Sequence, residues 1–570
     1  MVIVRDARSE FYHEVVGKRV LVFVLPDIDG LCAWRILKEL FVSREVLYTL
    51  LVVSDKRELC NLYTKNKDAY HDIFLLNCGA NFDVLEVLGP DTTTIFYICD
   101  SHRPIHINNF YNQRQIKLIC LNEDTSDVPK FEDVFQQFST DEESAGDSEE
   151  EEGKRRRAGA EAIEKRIERR KWARRRQDIL LDYESFSYHT VSSAVVLFDL
   201  TWRLSQETNC LLWYAIVGQT SQLLTNLINR EHYVDQLDYL QSHVSRLGHA
   251  GNRANTASSV TEEGKAKVEI VLEDELALWL YKHWSLKETL ETSMVTASKF
   301  KLFTEGGQKK MQEFLVHIGL PRRECLQRYS TMTSTVRESL NSLFLQYGEK
   351  YGLSRRDLFL PSFTVQLGYR TPVSAIDAVF LTLSALECHG DGDPSVNFQR
   401  ALDTLSCWSL PSLDNEITRA QAHLQSLASQ VRNLIDTDEI VAFGPFLYAY
   451  LRKSSLLSIA LRNTLSLSIL SKYVLMAKAA LRPKLGRDRR VVQMPLIFCI
   501  DSRADEENIT LIGIPPLHGD DDRNLFGQAF EAAVRRTKAR AEFRYFDTNC
   551  IELHREDMLK LFEALASLLS

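Results

Sequence analysis

The chain has 570 residues, of which 45% are hydrophobic and 10% aromatic, so it can bury the cores of several domains. Its net charge of -9 and pI near 5.9 exclude a generally basic nucleic-acid coat protein, so any contact with DNA has to be local. Its 11 cysteines include no CxxC pair, which argues against a zinc ribbon and favours a reducing compartment.

The N-terminal segment predicts neither secretion nor membrane insertion. MVIVRDARSEFYHEVV is charged and lacks the apolar core of a secretory leader. Apolar stretches such as VLVFVLP at 20–26 are too short to span a bilayer. We therefore expect a soluble intracellular protein that makes no membrane contact.

The first 125 residues predict an α/β domain with a doubly wound parallel sheet. Strand candidates alternate with helical segments, and the first of them, RVLVFVL, is apolar throughout, as in a strand buried on both faces. The predicted strands are 19–25, 46–53, 71–78, 93–100 and 116–121. Polar clusters follow three of these strands, at the edge where such sheets bind ligands: 27–30, 77–81 and 100–103.

An acidic block is followed by a basic block. Residues 141–152 hold eight acids and no base, which predicts disorder, and Ser144 and Ser148 each precede an acid by three residues, as acid-directed kinases prefer. Residues 154–176 hold twelve Lys or Arg against three Glu, which predicts a solvated, protruding helix.

Two basic clusters within this helix also fit a bipartite nuclear localisation signal, and a charged helix can serve both roles. The residues of the two clusters are Lys154, Arg155, Arg156, Arg157, Arg169, Arg170, Lys171, Arg174, Arg175 and Arg176.

The remaining segments complete the predicted order of elements. Residues 185–204 are apolar at helical spacing and are expected to return to the first domain, and 248–264 form a linker by composition. Residues 270–440 are mostly helical. Further along, 491–500 and 509–515 predict a β-hairpin with a long loop, and two helices close the chain.

The segment Asp27-Ile28-Asp29-Gly30, between a strand and a helix, has two interpretations. Two carboxylates two residues apart can hold a divalent metal, with Gly30 permitting a tight turn. Alternatively, Asp at a helix start is a capping residue that needs no ligand. The tetrapeptide alone favours capping.

Two further strands end in Asn77-Cys78-Gly79 and Asp100-Ser101-His102-Arg103. This order of motifs resembles the DHH phosphoesterases, including the exonuclease RecJ. The resemblance implies a site in which carboxylates and histidine bind two metals that activate water for phosphodiester hydrolysis.

The chain departs from that pattern at the metal ligands. Asn77 replaces an acid, Ser101 replaces a histidine, and Ser221 stands where a fourth acid would fall, so the compensating charge is mostly lost. The resemblance therefore implies no catalytic residue, no bound metal and no cofactor. The vestigial metal-site positions would be Asp27, Asp29, Asn77, Asp100, Ser101 and His102. The surviving acids would either form one weak metal site or cap helices and pair with Arg103, and we favour the second.

Many further stretches resemble the cell division control protein 45 family of eukaryotic replication factors. They are NCGAN (77–81), CDSHRP (99–104), RRKWARRRQDILLDYE (169–184), HVSR (243–246), HWSL (283–286), GQKKMQEFL (307–315), GPFLY (444–448), SLSILSK (466–472), GIPP (513–516) and NLFGQAFEAA (524–533). The resemblance implies a DHH domain, an inserted helical domain and a smaller C-terminal α/β domain of DHHA1 type. The predicted division is 1–130, 131–184 as an excursion, 185–247 completing the first domain, 265–440 and 441–570.

This resemblance implies a non-catalytic subunit of the eukaryotic replicative helicase, required for initiation and elongation of DNA replication in the nucleus. Its implied partners are the minichromosome maintenance hexamer, the GINS tetramer, single-stranded DNA and chromatin at origins, with a replicative polymerase as a further candidate. ATP hydrolysis would belong to the hexamer, since the chain has no GxxxxGK[ST] loop. The alternative is an active metal-dependent phosphoesterase or single-strand exonuclease, which needs the ligands lost at Asn77 and Ser101.

Two basic segments and the isolated histidines carry weaker signals. Residues 363–370 interleave aromatic and basic side chains and fit an edge strand, and 482–490 fit a basic loop that contacts phosphates. Surface charge without a partner is the simpler interpretation of each. His189, His249 and His389 show no ligand spacing, so we expect ordinary histidines there.

Overall fold

The structure of the protein is a computed structural model. It describes residues 13–121, 127–135, 152–254, 268–367, 372–387, 394–406, 413–452, 464–481, 494–502, 507–517 and 523–569. The segments 141–151, 482–490 and most of the predicted linker lie outside these ranges, so the predictions for them stay predictions.

The first lobe is built on a five-stranded sheet in which every strand pair is parallel, in the order β2-β1-β3-β4-β6. Its strands are β1 (Arg19–Val24), β2 (Leu47–Val52), β3 (Asp72–Leu76), β4 (Ile95–Cys99) and β6 (Ile116–Leu118). A separate two-stranded ladder pairs β5 (His102–Arg103) with β7 (Tyr188–His189).

Helices cover both faces of this sheet. Alternate residues of β1 point to opposite faces, so Val22 joins the core under one set of helices and Phe23 joins the core under the other. The helices of this lobe are α1 (His13–Val15), α2 (Ile28–Val42), α3 (Lys56–Asn66), α4 (Val84–Leu88), α5 (Ile107–Tyr111), α8 (Ser193–Arg203), α9 (Asn209–Leu224) and α10 (Arg230–Ala254). The doubly wound α/β prediction is confirmed. The linker prediction is wrong at its start, because α10 continues through 248–254.

The basic block forms a long helix, as predicted. Helix α7 (Glu152–Tyr183) contacts the short helix α6 (Phe131–Val134) near its end. Arg176 Nε donates to the Val134 carbonyl at 2.9 Å, and Arg175 lies 3.3 Å from the Asp133 carboxylate. The second basic cluster is exposed apart from the half-buried Arg176, as expected for a solvated helix.

The central segment is helical around a three-stranded antiparallel sheet. Its strands are β8 (Val268–Leu276), β9 (Phe359–Leu367) and β10 (Val373–Ser374), in the order β10-β9-β8. The described part of the segment 363–370, residues 363–367, belongs to β9, and the edge-strand prediction is wrong because β8 and β10 flank β9. The helices are α11 (Leu286–Thr292), α12 (Met294–Phe300), α13 (Glu305–His317), α14 (Arg322–Leu326), α15 (Ser334–Gly348), α16 (Arg355–Leu358), α17 (Ala375–Glu387), α18 (Pro394–Leu405) and α19 (Leu413–Asp436).

This helical segment shares one hydrophobic core with the first lobe. All residues of α17 are buried, and the helix packs against α9 and α2, while α18 contacts α2 and β2. One continuous cluster of buried apolar residues includes Trp34 and Trp213 of the first lobe and Phe380 of α17. Removing the segment would therefore expose the core of the first lobe.

The C-terminal lobe is a mixed six-stranded sheet in the order β11-β12-β13-β14-β16-β15. Strands β12 and β13 are parallel and the other pairs are antiparallel, including the predicted hairpin β13–β14. The strands are β11 (Ile440–Phe443), β12 (Phe446–Leu451), β13 (Leu496–Asp501), β14 (Asn508–Ile514), β15 (Ala541–Glu542) and β16 (Cys550–His554). Its helices are α20 (Thr464–Leu481), α21 (Phe526–Thr537) and α22 (Met558–Leu568).

Among the described residues, one helix, α20, is long and apolar enough to cross a membrane by length and composition alone. Half of its 18 residues are buried, and it packs against α12, α19 and β14. This packing is that of a core helix of a folded domain.

Candidate functional site

Asp27 is the N-cap residue of α2. Its Oδ1 accepts a hydrogen bond from Gly30 N at 2.9 Å, as the capping interpretation predicted. A Cβ atom at position 30 would lie 2.5 Å from that oxygen and 2.8 Å from the Leu25 carbonyl oxygen. Glycine is therefore required for the approach of Asp27 to the helix start.

Asp29 is buried against the start of α8. Its Oδ1 accepts from Ser192 Oγ at 2.5 Å and from Ala194 N at 3.0 Å, and its Oδ2 accepts from Ser193 N at 3.0 Å. The free backbone N–H groups at a helix N-terminus stabilise negative charge. The Asp29 carboxylate thus joins the first β-α unit to the segment that returns after the excursion.

Asn77 connects the two acids through its amide group. Its Nδ2 donates to Asp27 Oδ2 at 3.0 Å and to Asp29 Oδ2 at 3.1 Å, while its Oδ1 accepts from Ser193 Oγ at 2.5 Å. The residue follows β3 with a φ of 55°, a left-handed conformation that asparagine tolerates. The amide nitrogen therefore occupies the space between the two carboxylates.

Asp100 is held by the backbone and by His102. Its Oδ2 accepts from Gly79 N and Ala80 N, both at 2.9 Å, and its Oδ1 lies 2.6 Å from His102 Nδ1. Burial opposes ionisation of Asp100, but His102 and the backbone donors outweigh it and hold the pKa of that carboxyl well below its usual range. Arg103 donates to the carbonyl oxygens of Asp100 and His102, and its pairing with the acids stays a prediction.

These bonds leave no free carboxylate oxygen at the three acids. Each oxygen of Asp27, Asp29 and Asp100 accepts at least one hydrogen bond from the chain. Burial and the neighbouring Asp29 also raise the pKa of Asp27 above its usual range. Two divalent ions would have to displace these donors, and Asn77 would add no charge. The residues present therefore do not fit a two-metal centre.

Asp27 and Asp29 line a cleft of about 300 Å³ between the first lobe, the helical segment and the C-terminal lobe. The segment 544–547 reaches across from the C-terminal lobe. Arg544 lies 3.1 Å from the Asp55 carboxylate, and its carbonyl accepts from Lys56 N at 2.8 Å. Phe546 is buried in the core of the first lobe beside Phe82. The two lobes are thus joined directly at the cleft.

His189 faces the site, contrary to the expectation of an ordinary isolated histidine. It lies opposite His102 in the β5–β7 ladder, and the two ring centroids are 4.7 Å apart. Asp547 Oδ1 lies 3.2 Å from His102 Nε2 and 3.8 Å from His189 Nε2. Burial and the positive charge of His102 lower the pKa of His189 to about 4. For His102 burial acts in the same direction, but Asp100 and Asp547 raise its pKa well above the usual value.

Of the other predicted positions, two lie in the cleft and the basic clusters lie on a different element. Ser101 and Ser221 line the cleft with Asp27 and Asp29, and Ser221 Oγ donates to the Gly218 carbonyl. The clusters that include Lys154 and Arg169 lie on α7. Sequence reasoning missed His189, Asp547 and the serines at the start of α8, because none of them follows a strand of the parallel sheet.

Comparisons with known proteins cover the chain almost from end to end. The CDC45 family model matches residues 20–153 and 122–568. The chain is 38% identical to the Cell division control protein 45 homolog of Homo sapiens over 575 residues, with 100% of both chains covered. It is 22% identical to Cell division control protein 45 of Saccharomyces cerevisiae, with 98% of both covered. The crystal structure of CDC45 from Entamoeba histolytica matches with a TM-score of 0.67 at 20% identity, covering 97% of this chain and 95% of that one.

Proposed function

Because the chain belongs to the CDC45 family, we propose that it is a non-catalytic subunit of the eukaryotic replicative DNA helicase. Membership of this family makes it a DNA replication factor. In the proposed role it bridges the minichromosome maintenance hexamer and GINS, contacts single-stranded DNA, and acts on chromatin at origins and at the moving fork. The proposal that the subunit is non-catalytic rests on the amide of Asn77, which donates to both Asp27 and Asp29.

An exonuclease would need those carboxylates to hold metal ions and activate water. Instead the chain's own donors occupy them. The backbone N–H groups at the start of α8 and the Ser192 hydroxyl bond to Asp29, and the Asn77 amide donates to both carboxylates. We propose that Asp27, Asp29, Asn77, Asp100, Ser101 and His102 are vestigial metal-site positions that now stabilise the fold.

The expected result of a nuclease assay is therefore negative. Purified protein incubated with labelled single-stranded DNA and Mn²⁺ should release no nucleotides above the background of a matched Asp27→Asn preparation. Asn is also a good N-cap residue, so this control keeps the start of α2. DNA retained in the same samples should be released by added salt, as counterion release requires. Cleavage by the wild type that Asp27→Asn abolishes would refute the non-catalytic assignment.

We also propose that the helical segment contacts the partners. Its helices α13, α14 and α15 leave large apolar side chains in solvent: Val316 is 77% exposed, Leu326 50% and Leu345 44%. Exposed apolar side chains of this kind are typical of protein interfaces when they are grouped. Deleting the segment is a poor test, because its α17 completes the core of the first lobe.

Surface substitutions give a cleaner result. The double variant Val316→Glu/Leu326→Glu should co-purify with the hexamer and GINS at a yield lowered about tenfold, the effect of losing about 1.4 kcal/mol of binding free energy. Its melting temperature should stay close to that of the wild type, because Val316 is mostly exposed and Leu326 is half exposed. Gln312→Glu, on the same exposed side of α13, is the charge control. Wild-type yield from the double variant would remove these helices from the interface.

The nuclear role requires import, and we propose that the two basic clusters of α7 direct it. The second cluster lies on an exposed part of the helix, where an import receptor can reach it. Partner contacts by a replicative polymerase remain a further proposal from the family.

A further inference from the structure

Three potential metal ligands from three separate segments meet beside the acids. They are His102 after β4, His189 after the excursion, and Asp547 of the C-terminal lobe. One ligand atom from each lies within 4.8 Å of the other two. His102 is buried, and both His189 and Asp547 are partly buried on the wall of the cleft. Two imidazoles and one carboxylate form a ligand set that suits zinc and related ions.

The distances are close to those that a tetrahedral ion requires. Metal–ligand bonds of about 2.0 Å at tetrahedral angles separate neighbouring ligand atoms by about 3.3 Å. Asp547 Oδ1 lies 3.2 Å from His102 Nε2 and 3.8 Å from His189 Nε2. Two of the three edges are thus already near the required length, and the third, between the imidazoles, is no longer than 4.8 Å.

The chain also fixes the orientation of the rings. The Asp100 carboxylate accepts from His102 Nδ1 at 2.6 Å, which turns Nε2 toward Asp547. A carboxylate bonded to the far nitrogen of a histidine is the usual support of a metal ligand, because it fixes the tautomer and the ring plane. The β5–β7 ladder places His189 directly opposite His102. The two histidines therefore rest on regular backbone, and Asp547 lies in the bend that precedes β16.

We propose that His102, His189 and Asp547 bind one divalent ion of the zinc class, which fastens the C-terminal lobe to the first lobe. All three residues line the cleft, so water or an anionic oxygen from the cleft would complete the coordination of the ion. This site differs from the position of the DHH metals, since Asp27, Asp29 and Asn77 take no part in it. His102 alone belongs to both groups of residues.

The competing account is that His102 and Asp547 form a simple ion pair that holds the lobes together without a metal. In that account the positive charge that attracts Asp547 comes from a proton on His102 and not from a metal ion. The two accounts differ in metal uptake, in the spectrum of the bound ion and in the effect of removing His189, which lies 3.8 Å from Asp547 and adds little to an ion pair.

Full-length protein, stripped with a chelator, is titrated with Co²⁺ and, in a separate competition against a chromophoric chelator, with Zn²⁺. We expect one equivalent to bind, with the visible absorption bands of four-coordinate Co²⁺ in a nitrogen and oxygen site. Zn²⁺ should also raise the melting temperature, because it binds only the joined lobes. His189→Ala and Asp547→Asn should each weaken Zn²⁺ binding about tenfold or more and abolish the rise.

Matched controls separate this site from the other histidines and acids of the chain. His71→Ala and Glu563→Gln change exposed residues of the same types and should bind Zn²⁺ as the wild type does. Circular dichroism of each variant establishes that it is folded. If Asp547→Asn fails to fold, His189→Ala and the wild-type melting shift decide the question. No uptake of Zn²⁺ by the wild type, or equal uptake by folded His189→Ala, would overturn the proposal.

Discussion

Asn77→Asp should lower the free energy of unfolding by about 3–5 kcal/mol in metal-free buffer at neutral pH. The substitution removes the amide that donates to both Asp27 and Asp29, and it places a third carboxylate between them. An uncompensated charge in a buried site costs several kcal/mol. The effect should shrink on acidification, since protonating any of the three carboxyl groups relieves the repulsion. Urea denaturation followed by circular dichroism measures it.

Two comparisons identify the cause of this loss. Asn77→Ala removes the same hydrogen bonds without adding a charge, so it should cost about 1–3 kcal/mol, the penalty for unsatisfied polar groups. Millimolar Mn²⁺ should stabilise Asn77→Asp more than it stabilises the other two proteins, because only Asn77→Asp regains a third acid. If Asn77→Asp is as stable as the wild type without metal, the amide does not have the role described here.

Glu387→Gln should alter the pH dependence of stability. Glu387 ends α17 and accepts from Ser466 N, in the first turn of α20, at 3.1 Å. Burial raises the pKa of Glu387 to about 8, whereas in the unfolded chain it is close to 4.5. Between these values the folded protein keeps a proton that the unfolded chain releases, so folding stability falls as pH rises, by up to about 1.4 kcal/mol per pH unit.

The variant lacks this proton, so its stability relative to the wild type should increase by about 3 kcal/mol between pH 5 and pH 7.5. Glutamine keeps an acceptor oxygen for Ser466 and nearly the same volume. Glu305→Gln changes an exposed acid and should follow the wild-type profile. Denaturation midpoints over this pH range measure the difference. Parallel profiles for wild type and Glu387→Gln would show that Glu387 ionises in the folded protein at an ordinary pH.

The first sheet and its acids could be predicted because the information is local. The apolar run of β1 indicates a strand buried on both faces, and the parallel arrangement brings residues after neighbouring strands to one edge. Asp27, Asn77 and Asp100 therefore meet as expected. Part of their roles could also be predicted, because an asparagine such as Asn77 in place of an acid lacks the negative charge and adds a hydrogen-bond donor.

The rest of the site depends on contacts between distant segments. His189 reaches His102 through a two-residue ladder too short to leave a pattern in the sequence, and Asp547 arrives from the other lobe. The central position of β9 likewise depends on its partners, because an edge strand and a central strand can share the same alternation. The helical part of 248–264 was missed because its glycines and small polar residues are typical of linkers.

The burial of Phe546 in the first lobe has a consequence for the order in which the protein can fold during its synthesis. Domains usually fold as units, with the N-terminal one first while the ribosome is still translating the rest. Here the parallel sheet of residues 19–118 packs against a ring that is more than four hundred residues downstream. The nascent first lobe therefore carries an open apolar site until residue 546 has left the ribosome.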